Sequence, residues 1–192
     1  MEKFAAPAET KGKIDMNWST EKKLETVASL IEKDLKDLTV FVLDKPRHRG
    51  LVEEIHQAGA RVTLYPAGDV AGAIMAAIPD TEVDVLMGTG GTPEGIISAC
   101  AIRAMGGEFQ GRINPQLATE IVSVRNAGFD TERWYERDEL IGSDDVHFCA
   151  TGITSGLLFR GVKLTKHHFK TETLIVTGAS KEQVSLTNWH NR

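Results

Sequence analysis

The first half of the chain alternates short apolar runs with amphipathic stretches. Three runs rich in β-branched residues have the length and composition of buried strands: 38–43, 61–65 and 83–87. Apolar residues spaced three to four positions apart predict four helices: about 20–34, 51–58, 69–78 and 92–105. Three successive strand–helix units predict a parallel sheet that carries helices on its faces.

Polar and glycine residues at the ends of these stretches predict where the helices begin and end. Ser19 or Thr20 is expected to cap the first helix, and Gly59 to end the second. Asp69 is a candidate N-cap of the third helix. In the fourth, Thr92 is expected to be the N-cap and Pro93 the first helical residue.

The apolar pattern weakens after Gly111. One helix is predicted near 116–126, and three strands follow it: 146–151, 161–166 and 172–177, the last two separated by a basic turn at 166–170. We expect these strands to form a mostly antiparallel addition to the same sheet. Residues 1–12 carry no strong periodicity and predict no element.

Composition and charge exclude several functional classes. With 41% hydrophobic and 26% charged residues, the 192-residue chain is globular and of single-lobe size. A formal net charge of −5 does not suit sequence-independent binding of nucleic acid, which requires a basic face. No apolar run reaches membrane-spanning length. Cys100 and Cys149 lie in apolar stretches and are expected to be buried free thiols in a reducing cytoplasm.

Three polar clusters follow the three predicted strands directly. They are Asp44-Lys-Pro-Arg-His48, Ala67-Gly-Asp69 and Gly88-Thr-Gly-Gly-Thr-Pro-Glu-Gly95. In an open parallel sheet, ligands gather beyond the carboxyl ends of the strands. We therefore expect the three clusters to converge on one rim of the sheet, and this convergence is the main functional signal of the spacing.

The glycine-rich cluster has the features of an anion site. Glycines let the backbone approach a ligand, and the N–H groups and dipole of the following helix attract negative charge. Glu94 in the first turn either serves only the helix dipole or ligates a hard cation, and both interpretations stay open here. The turn is neither a dinucleotide-binding nor a Walker motif.

The other two clusters also leave alternatives open. Lys45 and Arg47 stand at the start of a helix, where cations oppose the helix dipole. An anionic ligand would justify them, but solvated surface charges would also account for them. His48 is predicted to be a surface or capping residue. Asp69 either caps its helix or binds sugar hydroxyls.

The same clusters, with others further along, give the chain a resemblance to class II fructose-1,6-bisphosphatases. The similar segments run in order from about residue 11 to about 177: Lys45-Pro-Arg-His48, Gly68-Asp-Val-Ala71, Val83-Asp-Val-Leu86, Gly88 to Gly95, Gly111-Arg112, Ser143-Asp-Asp-Val146 and Ala150-Thr-Gly-Ile-Thr154. The resemblance implies the α/β fold of the metal-dependent, lithium-sensitive sugar phosphatases, a layered α/β sandwich. It also implies a cytoplasmic enzyme that uses Mn²⁺ or Mg²⁺.

Site residues follow from the resemblance position by position. The implied substrate contacts are Lys45, Pro46 and Arg47 for a phosphate, Asp69 for a hydroxyl and Gly91 through its backbone; the implied metal ligand is Glu94. Ala67 departs from the Asp-Gly-Asp that the family often has, which puts one substrate contact in doubt. No residue is assigned a catalytic role.

The resemblance also sets an expectation about the extent of the chain. Residues 1–192 are expected to be a single lobe, the C-terminal substrate-binding part of a bisphosphatase whose N-terminal metal-binding part is missing. The complete enzyme is expected to hydrolyse the 1-phosphate of fructose 1,6-bisphosphate in gluconeogenesis, or to accept sedoheptulose 1,7-bisphosphate. It is expected to be a homo-oligomer without nucleic-acid or membrane partners. The alternative is a non-catalytic sugar-phosphate-binding module, or a subunit that completes its site with another chain.

Overall fold

A computed structural model describes all residues, 1–192, and contains two β-sheets. The first sheet has six strands: β1 (Glu2–Ala6), β2 (Thr39–Leu43), β3 (Arg61–Tyr65), β4 (Val85–Thr89), β5 (Glu108–Arg112) and β6 (Trp134–Glu136). Their order across the sheet is β3-β2-β4-β1-β5-β6. The second sheet has four strands: β7 (His147–Thr151), β8 (Lys163–Leu164), β9 (His168–Thr177) and β10 (Glu182–Asn191).

The helices match the predicted pattern closely up to residue 105. They are α1 (Thr20–Leu30), α2 (Arg49–Ala58), α3 (Asp69–Ala77), α4 (Thr92–Met105), α5 (Ala118–Asn126) and the short α6 (Arg137–Leu140). Ser19 caps α1, because its side chain accepts a hydrogen bond from the backbone N–H of Lys22. Gly59 ends α2 in the left-handed conformation, with φ 92°. Both of these predictions are confirmed.

Two N-cap assignments are wrong by one residue. Gly68 is the N-cap of α3, so Asp69 is already helical, and its carboxylate bonds elsewhere. Gly91 is the N-cap of α4, with Thr92 and Pro93 as the first two helical residues. The two glycines have different causes. Gly68 has a positive φ, which disfavours other residues, whereas a side chain at Gly91 would overlap the Glu94 carboxylate.

The first sheet is only partly parallel. The pairs β2–β3 and β2–β4 are parallel, as predicted. Strand β1 lies between β4 and β5 and is antiparallel to both. The sequence did not predict β1 because its only large apolar residue in the strand is Phe4, followed by two alanines, and this short segment is buried by its neighbours on both faces.

The chain forms four layers: α1 with α2, the first sheet, α3 with α4, and the second sheet. Three hydrophobic cores lie between them. One core joins α1 and α2 to one face of the first sheet, through Leu24 and Ile55 against Val40 and Phe4. A second core joins α3 and α4 to the opposite face. A third joins the far side of α3 and α4 to the second sheet. After Asp69, helix α3 is apolar on all sides, which suits a helix buried between two sheets.

The predicted antiparallel strands are therefore a separate sheet, not an addition to the first one. Phe148 and Val176 pack this second sheet onto Ile74 and Ala101 of the helix layer. The sequence did not predict β10, whose residues are exposed except for half-buried Val184, because it pairs with β9 chiefly through the backbone.

Two further expectations concern the cysteines and the membrane. Both cysteines are free thiols, but only Cys100 is even partly buried. Cys149 is exposed because it lies on the face of β7 opposite Phe148, which points into the helix layer. None of the helices combines the length and the apolar composition needed to cross a membrane.

Candidate functional site

The three polar clusters meet at one rim of the first sheet. Strands β2, β3 and β4 end at Leu43, Tyr65 and Thr89, and the clusters follow them directly. Arg47 of the first cluster reaches Thr89 of the glycine-rich turn. Gly90 of that turn lies against Asp69 of the second cluster. The predicted convergence is confirmed as geometry, because parallel strands bring their carboxyl ends to the same edge.

Arg47 is exposed, yet part of its guanidinium is already in use. Its Nε and Nη2 donate to the backbone oxygen of Thr89 at 3.0 and 2.6 Å. Lys45 is half-buried and forms no ion pair or side-chain hydrogen bond. Pro46 opens a single turn of 3-10 helix, 46–48, that leads into α2. One cation is thus tied to the glycine turn and the other is available to a ligand.

His48 is buried, with 4% of its surface exposed, so the prediction of a surface residue is wrong. The alternative of a capping residue is confirmed by position only, because His48 is the N-cap of α2 but its side chain makes no capping hydrogen bond. Its Nδ1 lies 2.7 Å from the oxygen of Leu43, and its Nε2 accepts the N–H of Thr89 at 2.8 Å. The His48 ring thus joins the first cluster to the glycine-rich turn. The sequence signal for this role was weak, because the imidazole's distant partner lies 41 positions away.

Asp69 is held by a residue that sequence reasoning missed. The ammonium of Lys3, on β1, forms an ion pair with Asp69 Oδ2. The Lys3 side chain is 1% exposed and that of Asp69 is 14% exposed. A Cβ on Gly90 would overlap Asp69 Oδ2 and lie 3.0 Å from Lys3 Nζ. The glycine is therefore required by the ion pair, and Asp69 Oδ1 remains free to accept from a ligand.

Gly91 and Glu94 are in direct contact at the start of α4. Gly91 has φ −63° and ψ 144°, a conformation open to any residue. A Cβ at this position would overlap the Glu94 carboxylate, which folds back over the Gly91 α-carbon. Glu94 is exposed, so its carboxylate faces the rim as well as the helix end.

An open cavity of about 540 Å³ adjoins the glycine turn. Its polar lining residues are Arg47, Thr89, Thr92, Asn114, Gln116 and Glu120. Asn114 donates from Nδ2 to Thr89 Oγ1 at 3.1 Å. Backbone hydrogen bonds from Gln116 and Leu117 lower the pKa of the Glu120 carboxyl. Sequence reasoning missed this wall because it lies where the apolar pattern weakens.

The chain's own donors are too few to enclose a metal ion. No three His, Cys, Asp or Glu side chains come together in a group that would hold one. Glu94 presents one exposed carboxylate at the rim, which fits a single oxygen ligand of a hard divalent cation. Its assignment as a metal ligand stays a prediction, as do the substrate contacts.

These features define a layered α/β sandwich with cations, a carboxylate and a helix N-terminus at the carboxyl ends of its parallel strands. The chain matches the family described as "Bacterial fructose-1,6-bisphosphatase, glpX-encoded" over residues 1–190. It belongs to this family, whose members are metal-dependent phosphatases. The resemblance seen in the motifs is confirmed.

Individual relatives give the same result. The chain is 40% identical over 203 residues to a fructose-1,6-bisphosphatase class 2 of Haemophilus influenzae. The matched region covers 99% of this chain and 61% of that relative. It is 39% identical over 194 residues to a D-fructose 1,6-bisphosphatase class 2/sedoheptulose 1,7-bisphosphatase of Synechococcus elongatus, with 94% and 56% covered. A relative from Acaryochloris marina is 38% identical with the same coverage. The chain thus spans about three-fifths of the length of these relatives.

Proposed function

We propose that this chain is the sugar-phosphate-binding lobe of an enzyme that hydrolyses the 1-phosphate of fructose 1,6-bisphosphate in gluconeogenesis. The observation that carries the proposal is the convergence of Arg47, Asp69 and the glycine turn on one rim. The names of the relatives support this substrate. Comparison of kcat/KM for fructose 1,6-bisphosphate and sedoheptulose 1,7-bisphosphate in the complete enzyme would measure the substrate preference.

The phosphate would bind where positive charge is least neutralised. Lys45 has no ionic partner, and Arg47 keeps Nη1 free after its two bonds to Thr89. The first-turn N–H groups of α4 have no partner within the helix, and the helix dipole adds partial positive charge there. A small anion at this rim would therefore meet three kinds of donor at once, with Pro46 between the two cations.

The sugar would be oriented by Asp69 and Gly91. Because Lys3 holds Asp69 Oδ2, the second carboxylate oxygen is presented in a fixed direction to a sugar hydroxyl. The missing side chain of Gly91 lets a ligand approach the backbone. Ala67 removes one acceptor that the family often has, so one hydroxyl contact fewer is expected at this rim.

The metal would be Mn²⁺ or Mg²⁺, with Glu94 as one ligand and the others supplied from outside these 192 residues. When bound, such a cation activates water and neutralises charge on the transferred phosphoryl group. Within this chain, Lys45, Arg47 and Asp69 bind and orient the substrate, and Glu94 holds its carboxylate at the edge of the site. No general acid or base is assigned to this chain.

The second candidate is a non-catalytic sugar-phosphate-binding module, or a subunit that completes its site with another chain. The lack of any three-donor metal group in these residues favours it for the chain taken alone. The two candidates share the binding rim and differ only in whether further acidic ligands meet Glu94.

The expected setting is the cytoplasm, with a sugar bisphosphate as the small-molecule partner and no nucleic acid or membrane. A homo-oligomer is also expected. Light scattering after size-exclusion chromatography of the chain would test the oligomeric state.

Calorimetric titration with fructose 6-phosphate tests the binding function. We expect saturable binding by the chain, weakened at least tenfold in Lys45→Met. Lys36→Met is the matched control, because Lys36 is exposed and precedes β2 at the opposite end of the strand. Absence of binding by the unmodified chain at millimolar ligand would count against both candidates.

A further inference from the structure

The backbone of Thr89 is held at both of its polar groups by two consecutive side chains. Arg47 donates two hydrogen bonds to its carbonyl oxygen. His48 accepts its N–H at 2.8 Å. Thr89 is buried, with 8% of its surface exposed, so its backbone N–H and carbonyl need partners within the protein. Arg47 and His48 supply those partners, and together they fix the direction of the Thr89 peptide.

The imidazole of His48 acts at both ends, which sets its tautomer. The oxygen of Leu43 only accepts, so Nδ1 carries the proton and donates to it. Nε2 is then the unprotonated acceptor of the Thr89 N–H. The rigid ring therefore ties the end of β2, where Leu43 lies, to the end of β4, where Thr89 lies.

Gly88 makes room for this contact. It has φ +133°, and a Cβ built on it would stand 3.1 Å from His48 Nε2 and 3.2 Å from Cε1. Glycine is therefore favoured at position 88 both by the positive φ and by the lack of space for a side chain beside the His48 ring. The ring lies against the backbone of the turn itself, not only near it.

Thr89 is followed directly by Gly90, Gly91 and the first turn of α4. The orientation of its peptide therefore sets where the turn's N–H groups and the Glu94 carboxylate point. Of the two glycines, Gly90 is itself held, because its N–H donates to the Met1 oxygen at 3.0 Å and its oxygen accepts from the Met1 nitrogen at 2.8 Å. Gly91 keeps the conformational freedom of glycine. A buried side chain that holds the residue before two glycines reduces that freedom at the point where the ligand would bind.

We propose that His48 is a positioning residue: its ring orients the Thr89 peptide so that Gly91 and the first turn of α4 present their N–H groups to the substrate phosphate. The proposal rests on the proposed sugar-phosphate function. It assigns to His48 no contact with the substrate, and it explains why a histidine stands beside Arg47 in a buried position.

Substitution of His48 by Gln or by Asn separates its contact with Thr89 from its contact with Leu43. In His48→Gln, the longer side chain places an acceptor oxygen near the position of Nε2 and retains the bond to Thr89. In His48→Asn, the shorter side chain places a donor near Nδ1 and retains only the bond to Leu43. Because both variants replace a buried ring with a polar amide, they are matched for burial and for general loss of packing.

The experiment measures hydrogen exchange of the Thr89 and Gly91 amides in the full 192-residue chain, and its affinity for fructose 6-phosphate. Exchange reports opening of the individual hydrogen bond. In His48→Asn we expect Thr89 to exchange at least tenfold faster than in His48→Gln, and the affinity to fall at least tenfold relative to His48→Gln. The melting temperatures of the two variants should agree.

Equal exchange and equal affinity in the Gln and Asn variants would overturn the proposal, as would wild-type affinity in His48→Ala. If the unmodified chain does not bind fructose 6-phosphate, the proposed function fails. The exchange comparison then still decides whether His48 holds the turn.

Discussion

The carboxylate of Glu94 lies over the α-carbon of Gly91, in the space that a side chain at residue 91 would occupy. Backbone conformation does not require glycine there, since φ is −63°. The requirement is steric and comes from Glu94. The two residues therefore form a unit at the helix start, and changes at either one should affect the same property.

Replacing Gly91 with Ala should displace Glu94 without harming the fold. We expect the melting temperature to stay within a degree or two, because alanine accepts this conformation and the Glu94 side chain is flexible. In the complete enzyme, the Mn²⁺ concentration needed for half-maximal rate should rise at least tenfold. An unchanged Mn²⁺ requirement would show that the carboxylate's position over Gly91 is unimportant.

Replacing Glu94 with Gln separates a metal ligand from a helix residue. The helix role is worth at most about 1 kcal/mol, whereas an amide is a much weaker ligand for a hard dication. In the complete enzyme we expect an unchanged melting temperature without metal and a rate about 100-fold lower, or about 2.7 kcal/mol in transition-state stabilisation. Added Mn²⁺ should recover part of the loss. Near-normal turnover of the Glu94→Gln enzyme at low Mn²⁺ would show that Glu94 serves only the helix and is not a metal ligand.

The isolated 192-residue chain should show negligible phosphatase activity toward fructose 1,6-bisphosphate. The reason is that Glu94 is the one candidate ligand at the rim and no three-donor group exists in the chain. Phosphate release is measured with Mn²⁺ and with Mg²⁺. Turnover at an ordinary enzymatic rate, abolished by a chelator, would prove that these residues alone form a complete site.

Replacing Arg47 with Ala should weaken binding of fructose 6-phosphate about tenfold or more. The charge-assisted contact is worth roughly 1.5–3 kcal/mol, and its bonds to Thr89 are lost as well. The affinity of Arg47→Lys should lie between those of the wild type and Arg47→Ala, because lysine keeps the charge but not the pair of hydrogen bonds to the Thr89 oxygen. Arg61→Ala is the control, since Arg61 is an exposed cation paired with Asp37 at the other end of the parallel strands. Equal calorimetric affinity in all variants would show that Arg47 is a surface charge that does not contact the phosphate.

Replacing Lys3 with Met should destabilise the fold by leaving the Asp69 carboxylate without its partner. Loss of one member of a buried pair costs about 3–5 kcal/mol, and the remaining access of Asp69 to water places the expectation near 3 kcal/mol. Adding Asp69→Asn to Lys3→Met should recover most of that free energy of unfolding, measured with urea. If the double variant is as unstable as the single one, the loss comes from packing at residue 3.

The sequence alone determined the strand–helix units between residues 38 and 105. Their apolar periodicity is strong because each element packs at least one face into a core, and local cap residues set several ends, as Gly59 does. The placement of Lys45, Arg47, Asp69 and Glu94 at one rim followed from the same pattern, because parallel strands align their carboxyl ends.

Only the tertiary structure decided which residues support that rim. Lys3 meets Asp69 across 66 positions, and His48 meets Thr89 across 41. It also inserted β1 antiparallel into the parallel sheet, and separated β7 to β10 into a second sheet. Strand pairing and buried polar contacts between distant segments depend on how the layers pack, and a local pattern of polar and apolar residues does not record its partner.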